Sequence, residues 1–228
     1  PIVSPHGHCE PAWFAQNLPF ANPAELLVVP DHYVFRMLYS QGVPLARLGV
    51  GTPGKTADPR EVFRIFAQHW HLFLGTPSRT WIRYVLNETL SIKDALSPET
   101  ADKIYDDISD MIARDDHRPR ALFDRFNIEV LATTDSALDD LQHHASIRAS
   151  RWQGRIIPTF RPDSVLDPSD PGFVKNLDAL AEITQTDLGS YKGYLAALRK
   201  RRADFAEMGA TATDHAIETV HTEWLSDP

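Results

Sequence analysis

Apolar side chains recur at spacings of three and four in several stretches, the signature of helices with one buried face. Val62, Phe66, Trp70 and Phe73 share such a face, and Asp58 with Pro59 supplies an N-cap and a first helical position ahead of them. Ile104, Ile108, Met111 and Ile112 repeat the pattern, with Ser97-Pro98-Glu99 as the predicted start. A third helix is predicted through Tyr191, Tyr194, Leu195, Leu198, Phe205 and Met208, stopped by Gly209. A weaker one runs from Asp31 through Phe35, Met37 and Leu38 to Gly42.

Four short runs read instead as strands: 2–4, 129–133, 155–160 and 210–213. They are mostly apolar or small rather than strictly alternating, as in strands covered on both faces, and helical sequence separates them, which predicts a parallel sheet. Ionisable residues follow each run: His6 and His8, then Asp135, then Arg161 and Asp163, then Asp214 and His215. Ionisable groups gathered at the C-terminal ends of successive parallel strands suit a (β/α)8 barrel active site. The expected fold class is therefore α/β: about four strands of a barrel, with a helical insertion after the first. The expected divisions are 1–20 for the first strand and its histidines, 21–126 for the insertion, and 127–228 for strands two to four.

The chain has 228 residues, enough for a sizeable core. Twenty-three basic against 31 acidic residues give a net charge of −8, which argues against nucleic acid as a partner. No apolar run approaches the ~20 residues needed to cross a bilayer. A single cysteine, Cys9, excludes an internal disulfide and suits a reducing compartment, so the expected location is cytoplasmic. The chain opens on Pro1 and stops soon after Trp224; both ends look cut, and a piece of a longer protein is expected.

His6-Gly7-His8 is the sharpest local signal. On extended backbone, residues i and i+2 point to one side, so two imidazoles converge as a divalent metal requires. The bland alternative is a chance pair near a terminus. Arg161 and Asp163 place a guanidinium and a carboxylate past the third run: a fork for a substrate carboxylate, or a structural ion pair. Asp31-His32-Tyr33 joins a helix cap to two proton-exchanging groups. Asp214-His215 sets a carboxylate beside an imidazole. His69 and His71, inside a helical pattern, do not face each other, and neither do His143 and His144. Cys9 points away from His8. The run Arg199-Lys200-Arg201-Arg202 reads as a solvated helix face. Gly49 to Thr56 fits a phosphate-loop pattern, but proline breaks the segment before it and a loop is the simpler reading.

In this order, SPHGHCEP (4–11), PDHYVFRMLYSQGV (30–43), HLFLGTPSRTWIRYVLNE (71–88), SPETADKIYDDI (97–108), LATTDSALDDLQHH (131–144), PTFRPD (158–163) and GATATDHAIE (209–218) resemble the uronate isomerases of the amidohydrolase superfamily. The resemblance implies a distorted (β/α)8 barrel and aldose–ketose isomerisation of hexuronic acids: D-glucuronate to D-fructuronate, and D-galacturonate to D-tagaturonate. It implies one divalent metal, zinc in most members, on His6 and His8. Arg161 matches the family's carboxylate anchor. His32 and Tyr33 match the pair that reaches substrate hydroxyls and helps proton movement, and Asp214 matches the aspartate of the fourth strand. Many relatives carry Asp two residues before the first histidine; here Ser4 stands there. Relatives run to about twice this length, so the last-strand aspartate that serves as metal ligand and base has no counterpart, and the 228-residue piece alone is expected to be inactive.

A hexuronic acid and a second copy of the chain are the partners implied. The competing readings are a metal-dependent hydrolase on the same scaffold, which has no general need for the Arg161 and His32-Tyr33 motifs, and a non-catalytic fragment.

Overall fold

The structure is a computed structural model that describes residues 1–51 and 57–216. Its strands are β1 (Ile2–Ser4), β2 (Ile128–Ala132), β3 (Asp135–Ser136), β4 (Arg155–Ile157) and β5 (Phe160–Arg161). Its α-helices are α1 (Pro11–Gln16), α2 (Pro23–Leu27), α3 (His32–Ser40), α4 (Pro59–Gln68), α5 (Pro77–Tyr84), α6 (Ala101–Ile112), α7 (Pro119–Arg125), α8 (Gln142–Ala149), α9 (Phe173–Thr184) and α10 (Tyr191–Glu207). The chain divides into two compact units, Leu18–Leu122 on one hand and Pro1–Asn17 with Phe123–Pro228 on the other.

The Leu18–Leu122 unit is helical. Asp31 caps α3, its Oδ1 accepting from the Tyr33 and Val34 amides, and Asp58 caps α4 by accepting from the Arg60 amide. Val62, Phe66, Trp70 and Phe73 are all buried, as their spacing requires. The helix does not run through them, however: α4 stops at Gln68 and a 3-10 turn, Trp70–Phe73, carries the last two. His69 and His71 therefore flank and occupy a turn rather than a helix. Helix α6 begins at Ala101, later than Ser97-Pro98-Glu99 predicts. Ser97 Oγ donates instead to Glu99 Oε2 at 2.7 Å, and the Ser97 amide donates to Thr100 Oγ1 at 3.0 Å, so this segment closes a turn of its own. Gly49 follows a 3-10 turn, Leu45–Leu48, with φ +73°. The rest of the phosphate-loop pattern, 52–56, lies outside the described residues.

The other unit is α/β. Strands β1, β2 and β4 form a parallel sheet in that order, and β3 and β5 a second parallel pair. The two ladders are one run of hydrogen bonds. Thr133 N donates to Ile157 O (2.9 Å), Thr159 N to Thr133 O (3.1 Å) and Asp135 N to Thr159 O (3.1 Å), so β2–β3 and β4–β5 are two continuous extended segments with a short break in each. The fourth run, 210–213, is not a strand; it makes a single parallel bridge, Phe160 with Thr213. Phe160 N donates to Ala212 O (3.3 Å) and Asp214 N to Phe160 O (3.0 Å). β1 also departs from expectation. Ile2 and Val3 are 50% and 61% exposed, and among the described residues β1 pairs only with β2.

Helix α10 ends at Gly209, whose φ of +100° is a left-handed conformation that glycine adopts without strain. Of the predicted stripe Phe205 is fully buried and Tyr194, Leu198 and Met208 pack against the same cluster, while Tyr191 is exposed and Ala197 and Arg201 join the buried line. The basic run is thus not uniformly solvated. Arg199 and Arg202 are exposed, but Arg201 is buried, donating from Nε to Ala137 O (2.9 Å) and from Nη2 to Asp139 O (2.6 Å). The loop after β3 leaves these carbonyls without ladder partners, and a long side chain with a donor fork reaches them.

Candidate functional site

β1 ends at Ser4, so His6 and His8 lie on the loop just beyond it rather than on the strand. Their rings nonetheless converge. The Nε2 atoms are 3.1 Å apart and the ring planes are nearly perpendicular, at 81°. Two imidazoles that each place a nitrogen ~2.1 Å from a tetrahedral ion are spaced by about that much. Gly7 allows the close approach: a Cβ there would sit 3.0 Å from the Ala132 carbonyl oxygen, a backbone atom that cannot give way cheaply.

Asp214 is brought to the same end of the sheet by its backbone bond to Phe160. Its Oδ2 lies 3.6 Å from His6 Nδ1 and 3.7 Å from Arg161 Nη2. That oxygen is buried and has no hydrogen-bond partner at those distances. A carboxylate oxygen shielded from water between an imidazole and a guanidinium is poised to accept a proton or a donor that enters the site.

Of the two alternatives for Arg161, the structure contains the ion pair with Asp163. Arg161 Nε donates to Asp163 Oδ2 at 2.7 Å, which leaves the Nη1–Nη2 end of the fork turned elsewhere. Asp163 Oδ2 also accepts from the Ala216 amide at 3.0 Å, and its Oδ1 lies 3.9 Å from His215 Nδ1. One carboxylate therefore ties the end of the third run to the segment that carries Asp214. Sequence reasoning saw the Arg161–Asp163 proximity but not this second tether, which depends on where the fourth run folds back.

His32 and Tyr33 belong to the helical unit. They open α3, directly after the Asp31 cap, with ring centroids 4.2 Å apart and Tyr33 61% exposed.

Sequence reasoning missed one constellation. Thr133, Asp135 and His144 are all buried at the end of β2. Thr133 Oγ1 donates to Asp135 Oδ2 at 2.7 Å and lies 2.9 Å from His144 Nε2. His144 carries no metal-pair signal with His143, since adjacent residues on a helix diverge. The usable signal was that Leu141, His144 and Ile147 recur every three residues, and all three are buried. Burial pushes the Asp135 carboxyl up to about 6, against the lowering effect of its Thr133 bond. Burial likewise pushes the His144 imidazole down to about 4.

Cys9 packs beside the cluster of Phe14, Phe123, Leu131, Ile147 and Ile156, away from the histidine pair, and burial raises its thiol pKa. Among the described residues no group of three or more His, Cys, Asp or Glu side chains is arranged to hold a metal ion. Nor is any helix among them long and apolar enough to cross a membrane.

The sequence pattern of the family described as Glucuronate isomerase matches residues 1–227. The uronate isomerase of Rhizorhabdus wittichii is 59% identical over 222 residues, a match covering 97% of this chain and 47% of that protein. That of Mesorhizobium japonicum is 54% identical, covering 100% and 49%. Among solved structures, glucuronate isomerase from Caulobacter crescentus matches with a TM-score of 0.92 at 48% identity, covering 100% of this chain and 48% of that one. Uronate isomerase from Thermotoga maritima matches with a TM-score of 0.83 at 28% identity, covering 94% and 46%. The chain spans about half the length of the curated relatives it matches.

Proposed function

The chain belongs to the glucuronate isomerase family, and on that premise we propose that it forms the N-terminal half of a metal-dependent uronate isomerase. The reaction is the aldose–ketose isomerisation of D-glucuronate to D-fructuronate and of D-galacturonate to D-tagaturonate. One observation carries the reading: at the C-terminal ends of parallel segments, Asp214 Oδ2 lies 3.6 Å from His6 Nδ1 and 3.7 Å from Arg161 Nη2, three residues from separate parts of the sequence. Parallel strands with their functional groups at that end are the arrangement of a (β/α)8 barrel, and the proposal includes completion of such a barrel by the rest of the protein.

The donor set fits two positions of a divalent ion, zinc being the natural choice for paired imidazoles. His6 and His8 would hold it, with further positions left for groups beyond the described residues. Such an ion supplies Lewis-acid polarisation of substrate oxygens beside the C–H that must lose its proton. Arg161 binds the uronate carboxylate through its Nη1–Nη2 end, since Asp163 occupies Nε and fixes the plane of the fork. Asp214, whose unpartnered Oδ2 lies 3.6 Å from His6 Nδ1, accepts a substrate proton or hydroxyl. His32 and Tyr33 contact substrate hydroxyls and carry protons between carbon 1 and carbon 2. The protein acts in the cytoplasm, and a second copy of the chain is its proposed partner.

The test is an assay of the full-length protein with zinc and D-glucuronate, following D-fructuronate. His6→Ala and His8→Ala should each abolish turnover and zinc retention together. Full activity in either variant would remove the histidine pair from the reaction.

A further inference from the structure

The end of β2 alternates faces, as extended backbone must. Thr133 and Asp135 turn toward His144 and make the buried network described above. Thr134, between them, turns the other way. Its Oγ1 donates to the carbonyl oxygen of Gly7 at 3.0 Å, a bond between residues 127 apart in sequence. Gly7 is the residue between the two imidazoles.

The preceding carbonyl is held as well. Ser4 Oγ donates to His6 O at 3.2 Å. Consecutive carbonyls of the loop are thus each gripped by a hydroxyl, one from β1 and one from the segment after β2. On its remaining side Gly7 is pressed toward the Ala132 carbonyl, where a Cβ would meet oxygen at 3.0 Å. These contacts matter because His6 and His8 lie beyond the last residue of β1, where sheet pairing no longer dictates the backbone. Both histidines are exposed rather than packed in a core. The Nε2 atoms converge to 3.1 Å across Gly7, and Thr134 fixes the backbone between the two rings from across the sheet.

We infer that Thr134 is a positioning residue for the His6–His8 pair: its hydroxyl, bonded to the Gly7 carbonyl, preorganises the two imidazoles to bind one divalent ion. The inference rests on the metal reading proposed above and deepens it. Side chains that touch no metal but orient its ligands are worth roughly 10- to 100-fold in metal affinity. Thr134 acts one step further out, through the ligands' own backbone.

The experiment is a zinc titration of the full-length protein against a competing chromophoric chelator, with the thermal midpoint measured in parallel. Thr134→Val keeps the bulk of the side chain and removes the donor; it should weaken zinc binding about 10-fold or more while the apoprotein's midpoint stays near wild type. Thr134→Ser keeps the donor and should bind zinc within about threefold of wild type. If the valine variant does not fold, Thr134→Ala takes its place with the same expectation. Wild-type affinity in a folded Thr134→Val or Thr134→Ala protein would overturn the inference alone. So would equal loss in Thr134→Ser and Thr134→Val, since keeping the hydroxyl in the serine variant would then preserve nothing. Failure of the wild-type protein to bind zinc, or undiminished binding by His6→Ala, would overturn the metal reading and the inference with it.

Discussion

The hydroxyl of Thr133 lies 2.9 Å from Nε2 of His144, and the direction of the proton between them is decided by a third residue. Thr133 has one hydroxyl proton, and the shorter bond, 2.7 Å to Asp135 Oδ2, takes it. His144 must then donate from Nε2, which assigns the Nε2–H tautomer and leaves Nδ1 as the acceptor. Nδ1 is buried without a partner. Protonating His144 would create a second N–H with nothing to receive it, in line with the low pKa that burial imposes.

Two opposed pH dependences follow from this buried group of residues. The Asp135 pKa is raised in the folded state from 3.8 to about 6, so its contribution to stability is full below pH 4 and is lost as pH rises through 6. The His144 pKa is lowered from 6.5 to about 4, so its contribution is full above pH 6.5 and is lost as pH falls through 4. Asp135→Asn removes the first and keeps the second. Relative to wild type, the variant should gain up to about 3 kcal/mol between pH 4 and pH 7, read from urea midpoints at the two values. A difference that does not change with pH would show that Asp135 does not titrate in this range.

Arg161→Lys should lower kcat/KM for D-glucuronate about 10- to 100-fold in the full-length protein, because an ammonium can neither hold Asp163 from Nε nor present a two-pronged end to a carboxylate. Turnover of the parent uncharged hexose should not change. Parallel losses on both sugars would mean that Arg161 supports the fold and does not read the uronate charge.

Gly7→Ala puts a methyl group 3.0 Å from the Ala132 carbonyl oxygen. The loop must move off β2, which also stretches the Thr134 bond to the Gly7 carbonyl. Zinc affinity should fall by roughly tenfold. A crystal structure of the variant showing the His6 and His8 rings undisplaced would contradict this account of the loop.

Arg201→Met keeps a long apolar stem and removes the donors that hold the carbonyls of Ala137 and Asp139. One buried and one half-buried carbonyl left without these donors should cost about 1–3 kcal/mol. Arg199→Ala, on the exposed side of the same helix, should stay within about 0.5 kcal/mol. Similar thermal midpoints for the two variants would return Arg201 to the solvated face that its charged neighbours suggest.

Local signals fixed much of this protein by themselves. The Asp31 and Asp58 caps, the Gly209 stop and the buried face of Val62, Phe66, Trp70 and Phe73 depend on neighbours within a few residues, where sequence spacing and physical contact are nearly the same thing. So does the parallel order of the strands, which follows from helices lying between them. What spacing could not decide was which partner a long-range contact selects. Whether Arg161 serves a ligand or an ion pair, whether Arg201 faces water or a carbonyl, and whether His144 pairs with His143 or with a threonine eleven positions away are set by which loops fold back across the sheet. The run 210–213 shows the same limit: its residues favour a strand, but a strand is a property of pairing, and only Thr213 finds a bridge. The Thr134 bond to Gly7 was invisible for the same reason, since a hydroxyl at one strand end and a carbonyl at another have no relationship until the sheet places them 3.0 Å apart.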